Sequence, residues 1–415
     1  MSIIKPFRAL RPTPDKASRV ASPPYDVLSS EEARAMAQGN PDSFLHVSKP
    51  EIDLDPDVDL YSDQVYAKGA ENLARLHKDG VLFREERPCL YVYQQTMRIR
   101  DRDHVQVGVV AGASVAEYQS GLIKKHELTR ADKEKDRTRH LDTLNVNSGP
   151  VFLTYKASDR IDALVDGVRA GKPVYDLVAD DGIRHVVWVV DGVAAIAALT
   201  GEFAKLPNMY VADGHHRSAA ASAVHDLRKA KNPHHTGEEG YNHFLAVIFP
   251  HDQMHIMDYN RVVKDLKGQS QGSFLNAVRE KFEAEKTESP RPGRATEFGM
   301  FLGGQWYRLR ARPGSYDGQD PVRSLDVSIL QENLLAPLLG IGDPRRDKRI
   351  DFVGGIRGTA ELERRVNGGW AVAFALHATS MDQLMAIADA GQIMPPKSTW
   401  FEPKLRSGLL VRPLD

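Results

Sequence analysis

The stretch Tyr210-Val211-Ala212-Asp213-Gly214-His215-His216-Arg217-Ser218-Ala219-Ala220-Ala221 carries a dense set of groups able to do chemistry. Arg217 offers a planar fork suited to phosphate oxygens, His215 and His216 add donors or proton carriers, and Gly214 lets backbone approach a ligand. The order strand, Asp-Gly turn, Ala-rich helix puts all three basic residues on a first helical turn, where free N–H groups favour an anion. The plainer alternative is Asp213 acting as a helix N-cap above a solvated turn. Adjacent helical histidines point about 100° apart and no cysteine cluster accompanies them, so the turn is read as a phosphate site with no metal site.

Three further stretches could supply partners. Asp26, in Pro23-Pro24-Tyr25-Asp26-Val27, sits on a loop that its prolines stiffen. His126-Glu127 follows an apolar strand and the turn at Ser120-Gly121, which suits Glu127 as a general base on a hydroxyl, oriented by His126. Lys133 and Arg137, four residues apart, share one helical face that could close over a polyphosphate, although most charges in that run belong to a solvated helix. The tail Met394-Pro395-Pro396-Lys397-Ser398-Thr399 with Lys404 combines lysines and hydroxyls in a Pro-stiffened loop, and is expected to face a ligand.

The elements that must position these groups read as α+β. Ser29 and Glu32 have capping-box spacing at the start of a helix to about Gln38. Phe44–Val47 reads as a short strand, Tyr61–His77 as a helix, and Leu90–Met97 with Val105–Ala116 as strands joined by a hairpin tip at 100–103. Strands follow at Val151–Tyr155, Val174–Val178 and His185–Val190, then a helix over Val193–Phe203 that leads into the Asp213 turn. Phe244–Phe249 reads as a buried strand with Ile256–Val263 pairing back onto it. Polar composition from Lys264 to Ser273 marks a boundary, giving domains 1–264 and 265–415. The second part reads as a smaller α+β domain with strands near 298–302, 305–310, 351–355 and 371–376, and helices at Phe274–Phe282, Val327–Leu339 and Met381–Ala390.

Bulk properties narrow the function classes. A chain of 415 residues exceeds what one hydrophobic core usually supports, and 41% hydrophobic with 27% charged residues is ordinary for a folded soluble protein. The net charge of −1 gives no global attraction to nucleic acid or anionic membrane. No apolar run is long enough to span a bilayer, the N-terminus lacks a signal-peptide pattern, and the single Cys89 suits a reducing compartment, so a cytoplasmic protein with a small-molecule substrate is expected.

The Asp213–Arg217 turn resembles the phosphate-binding turn of the ParB/sulfiredoxin superfamily, which includes free serine kinases. Across the chain, Pro23–Val27, His126-Glu127 with Thr129, Asp213–Arg217, Asp351–Gly355 and Met394–Thr399 together resemble the domain-of-unknown-function family numbered 1015. The resemblance implies a ParB/sulfiredoxin-like N-terminal region with a mixed sheet. It also implies a kinase or phosphotransferase that uses ATP or ADP with Mg²⁺, free serine or a similar hydroxy compound being the acceptor. In that scheme Asp213, Gly214, His215, His216 and Arg217 hold the transferring phosphate, Glu127 or Asp26 takes the hydroxyl proton with His126 beside it, and Lys397, Ser398, Thr399 and Lys404 meet phosphoryl oxygens. A nucleotide-responsive regulator without catalysis, or a phosphomonoester hydrolase, would use the same groups.

Overall fold

The computed structural model describes residues 2–415. The chain divides into two compact units, one made of 1–254 together with the returning tail Pro403–Asp415, the other of His255–Glu402. The expected division after 264 falls inside the second unit, because the strand Tyr259–Val263 pairs with Ile350–Gly354 and Val372–Leu376 rather than with the strand before it. Hydrophobic pattern marks a strand but does not name its partner, and this one is claimed by a sheet formed much later in the sequence.

The first unit is built on a nine-stranded mixed sheet. Its centre is the hairpin Leu90–Ile99 and Arg102–Ser114, flanked by Arg184–Val190 on one side and His243–Pro250 on the other. Val151–Tyr155 runs parallel to His243–Pro250 and antiparallel to Met209–Asp213, and Met209–Asp213 pairs in parallel with the short strand Ile123–Lys124. Val151–Tyr155 and His243–Pro250 are buried along their whole lengths, so they read as continuous apolar runs with both faces covered. Side chains such as Leu90, Val109, Leu153, Val211 and Ile248 form the core there, each contributing about 1.5–3 kcal/mol on full burial.

The helices Asp159–Arg169, Val193–Phe203 and His215–Lys231 put residues into this core, while shorter helices pack beside it. Ser29 and Glu32 form the expected capping box on Ser30–Ala37. Phe44–Val47, expected as a strand, instead enters the short helix Leu45–Ser48 and buries Phe44, Leu45 and Val47. Four residues carry too little periodicity to separate the two, and packing decides. The returning tail is tied to the unit by backbone bonds between Val411 and Leu10 and between Ser407 and Ser22.

The second unit has a six-stranded sheet whose registered pairs are all antiparallel. The helix Gly358–Asn367 has Leu362 buried in a core with Val262, Phe301, Trp306 and Val353. The expected helix over 327–339 forms as Asp326–Leu330 and Ala336–Leu339 with a π-helical turn, Gln331–Leu335, between them. Among the described residues no helix is long and apolar enough to cross a membrane.

Candidate functional site

The strand Met209–Asp213 is buried except at its last residue, and its register against Val151–Tyr155 shifts between Val211 and Asp213. Such an irregularity re-aims the side chain at the strand end. Gly214 follows with φ 95°, a left-handed conformation costly for other residues, and a Cβ there would lie 3.3 Å from Val151 Cα. The helix His215–Lys231 then starts with no side-chain cap. Asp213 is not that cap: its Oδ1 accepts from the Gly214 N–H at 2.8 Å and its Oδ2 accepts from Lys404 Nζ at 2.9 Å. Burial works to raise the Asp213 pKa, but the Lys404 ammonium and the Arg217 guanidinium win and hold it well below the usual carboxylate range.

The three basic residues of the turn part company. Arg217 is held by the Pro150 carbonyl and lies 3.3 Å from both carboxylate oxygens of Asp26. His216 is half-buried, and its Nε2 accepts from the Arg130 N–H at 3.1 Å. His215 points inward, buried against His126 with ring centroids 4.5 Å apart at 89°, and its Nδ1 lies 4.0 Å from Glu127 Oε2. Burial pushes His126 down to about 4, and burial together with the neighbouring His126 pushes His215 well below the ordinary histidine range. Both rings are therefore neutral at pH 7.

The Arg217 side opens on a small, partly open cavity of about 30 Å³, lined among others by Tyr25, Arg137, His140, Ser148, Gly149 and Arg217. Two guanidinium groups lie near the Tyr25 ring, Arg137 at 4.0 Å and Arg217 at 5.8 Å from its centroid. Arg137 in turn pairs with Asp136 at 2.8 Å. The Arg217–Asp26 bonds are longer than the roughly 2.7–2.9 Å of a tight charge-assisted pair, and Asp26 sits on an exposed turn. A phosphate could therefore exchange for that carboxylate at modest cost.

Of the expected site residues, Asp26, His126, Glu127, Asp213–Arg217 and Lys404 converge within the first unit. Lys397, Ser398 and Thr399 belong to the second unit. Lys397 is exposed, with φ 60° and its Nζ 5.6 Å from the Tyr259 ring centroid. Ser398 is buried, its hydroxyl donating to the Pro395 carbonyl at 2.6 Å, and Thr399 is half-buried. Sequence reasoning missed the stacking of Tyr25 with Arg137 and the wall made by Ser148 and Gly149. Tyr25 lies beside a singled-out aspartate, but nothing local to it says that two arginines will meet its ring.

Two guanidinium groups, Arg137 and Arg217, line one cavity and are the groups that would meet phosphate oxygens. Asp213 and Asp26 are each paired with a cation, so Mg²⁺ would enter on the phosphates.

Solved structures similar to this chain include a free serine kinase in complex with AMP, 12% identical with a TM-score of 0.35 over 72% of this chain and 91% of that one. A conserved hypothetical protein from Pyrococcus furiosus is 12% identical, with a TM-score of 0.35 over 73% and 95%. SbnI with a C-terminal truncation, from Staphylococcus aureus, is 12% identical with a TM-score of 0.38 over 73% and 87%. Among curated proteins no sequence relative matches. The family model described as protein of unknown function DUF1015 matches residues 4–328, and the chain belongs to that family.

Proposed function

We propose that this protein binds a nucleoside polyphosphate at the Asp213–Arg217 turn and transfers its terminal phosphoryl group to a hydroxyl of a small molecule. The observation that carries this reading is Arg217: a half-buried guanidinium at a helix start without a side-chain cap, on the wall of a cavity that Arg137 also lines. Glu127 is taken as the base, because its carboxylate stands beside the buried His215 ring. Glu127 takes the acceptor's proton, the acceptor oxygen forms its bond to phosphorus, and the bond to the nucleotide leaving group breaks. Arg217 and Arg137 offset charge on the phosphoryl oxygens, while bound Mg²⁺ would neutralise the phosphates.

Free serine is the first acceptor to try, as the resemblance of the turn suggests. The test is a thermal-shift series with ATP, ADP, CTP and phosphate, with and without Mg²⁺, followed by product detection with serine and other hydroxy compounds. Nucleotide-dependent stabilisation that disappears in Arg217→Ala, together with a phosphorylated product, is the expected result. Stabilisation without product from any acceptor would make the protein a nucleotide-responsive binder. No stabilisation by any phosphate would overturn the site.

A further inference from the structure

The buried side of the helix start contains groups that phosphate binding does not explain. His126, Glu127 and His215 each place one possible ligand atom within 4.8 Å of the others. His126 is 1% and His215 5% exposed. Neither ring nitrogen of His126, nor Nε2 of His215, has a well-formed hydrogen bond, the Val211 backbone offering His126 only a weak contact. Leaving a buried polar atom without a partner costs about 1–3 kcal/mol, and here three such atoms sit around one carboxylate. Other buried polar atoms without a partner occur singly along the chain, whereas these three meet at one place, and that concentration asks for a missing partner.

We infer that His126, Glu127 and His215 form a binding site for a divalent transition cation of the zinc or cobalt class, held by the protein's own side chains. Two neutral imidazoles and one carboxylate suit such an ion and leave coordination positions open, whereas Mg²⁺ prefers oxygen and retains its water. Tetrahedral ligation with metal–ligand bonds of about 2.0–2.2 Å needs ligand atoms roughly 3.3 Å apart. Modest side-chain rotation closes the difference, since Glu127 is only half-buried and its Oε2 is already 4.0 Å from His215 Nδ1. The adjacent Asp213 carboxylate supplies further negative charge near both rings. Glu127 belongs to both readings, but cation binding needs no nucleotide, so it can be tested apart from phosphotransfer.

The test is Co²⁺ titration of untagged, chelator-treated full-length protein without nucleotide, followed by visible absorption. The expected result is saturation at one equivalent, with the ligand-field bands displaced by Zn²⁺ and unaffected by excess Mg²⁺. Glu127→Gln, at a half-buried position, should weaken Co²⁺ binding at least about tenfold, since even losing a partner of a ligand commonly costs that much. His126→Asn and His215→Asn should abolish the bands while circular dichroism shows the fold retained. Arg217→Ala should keep the bands while losing nucleotide stabilisation, which separates this site from the phosphate site. Absence of bands in the wild type, or bands that survive His126→Asn and Glu127→Gln but vanish in His235→Asn on the separate His225–His235 pair, would overturn the inference.

Discussion

The two flanks of the helix that begins at His215 arise from neighbouring residues and differ in what they leave unsatisfied. On the Arg217 flank the charges are paired: Arg217 with Asp26, and Arg137 with Asp136. On the His215 flank the rings are neutral, buried and short of partners. A flank with loosely paired charges can exchange a carboxylate for a phosphate. A flank with orphaned nitrogens gains by acquiring a ligand it lacks.

The largest expected effect separates the flanks by function. Glu127→Gln should lower phosphotransfer by about 100-fold or more while nucleotide-dependent stabilisation persists, as steady-state rates and thermal shift would show. Equal loss of both would merge the two flanks into one site.

Acid stability sharpens the Arg217 side. His140, on the cavity wall, donates from Nε2 to the Val47 carbonyl at 3.0 Å, and burial, with the Arg137 charge, pushes it down to about 3. The unfolded state therefore takes up a proton at pH values where the folded state does not, so stability is full above about 6.5 and falls as pH drops toward 3. Between pH 7 and 5 the loss from this group should be on the order of 2 kcal/mol, and His140→Gln should flatten that part of the urea-denaturation profile.

Arg217→Ala should reduce nucleotide affinity at least tenfold and cost about 1–2 kcal/mol of stability without ligand, because the Pro150 carbonyl loses its donor. Gly214→Ala, which leaves both flanks chemically intact, should cost about 1 kcal/mol from the left-handed backbone alone, with more if Val151 cannot yield. Calorimetric titration of each variant measures these differences.

Much of the local structure was legible from residues alone. The capping box at Ser29, the 90–114 hairpin and the turn at Gly214 follow from spacing and residue type, because capping, alternation and positive φ are settled within a few residues. Pairing of Tyr259–Val263 was not legible, since the strand's partners lie about a hundred residues on. The expected metal-free turn illustrates the same boundary. The argument that neighbouring histidines diverge on a helix is sound for His215 and His216, which do face different partners, but it says nothing of a histidine and a glutamate brought in from another strand end.

The sequence by itself determined that a strand, a left-handed glycine and a helix would present His215, His216 and Arg217 together, since each preference is local and strong. It also determined family membership, through motifs spread along the chain. Only the tertiary structure decided which way each side chain would turn: that Lys404, from the returning tail, neutralises Asp213, that two arginines lie near the Tyr25 ring, and that His126 and Glu127 meet His215. Those meetings depend on sheet order and on burial, which are properties of the whole packed chain and are encoded in no short segment.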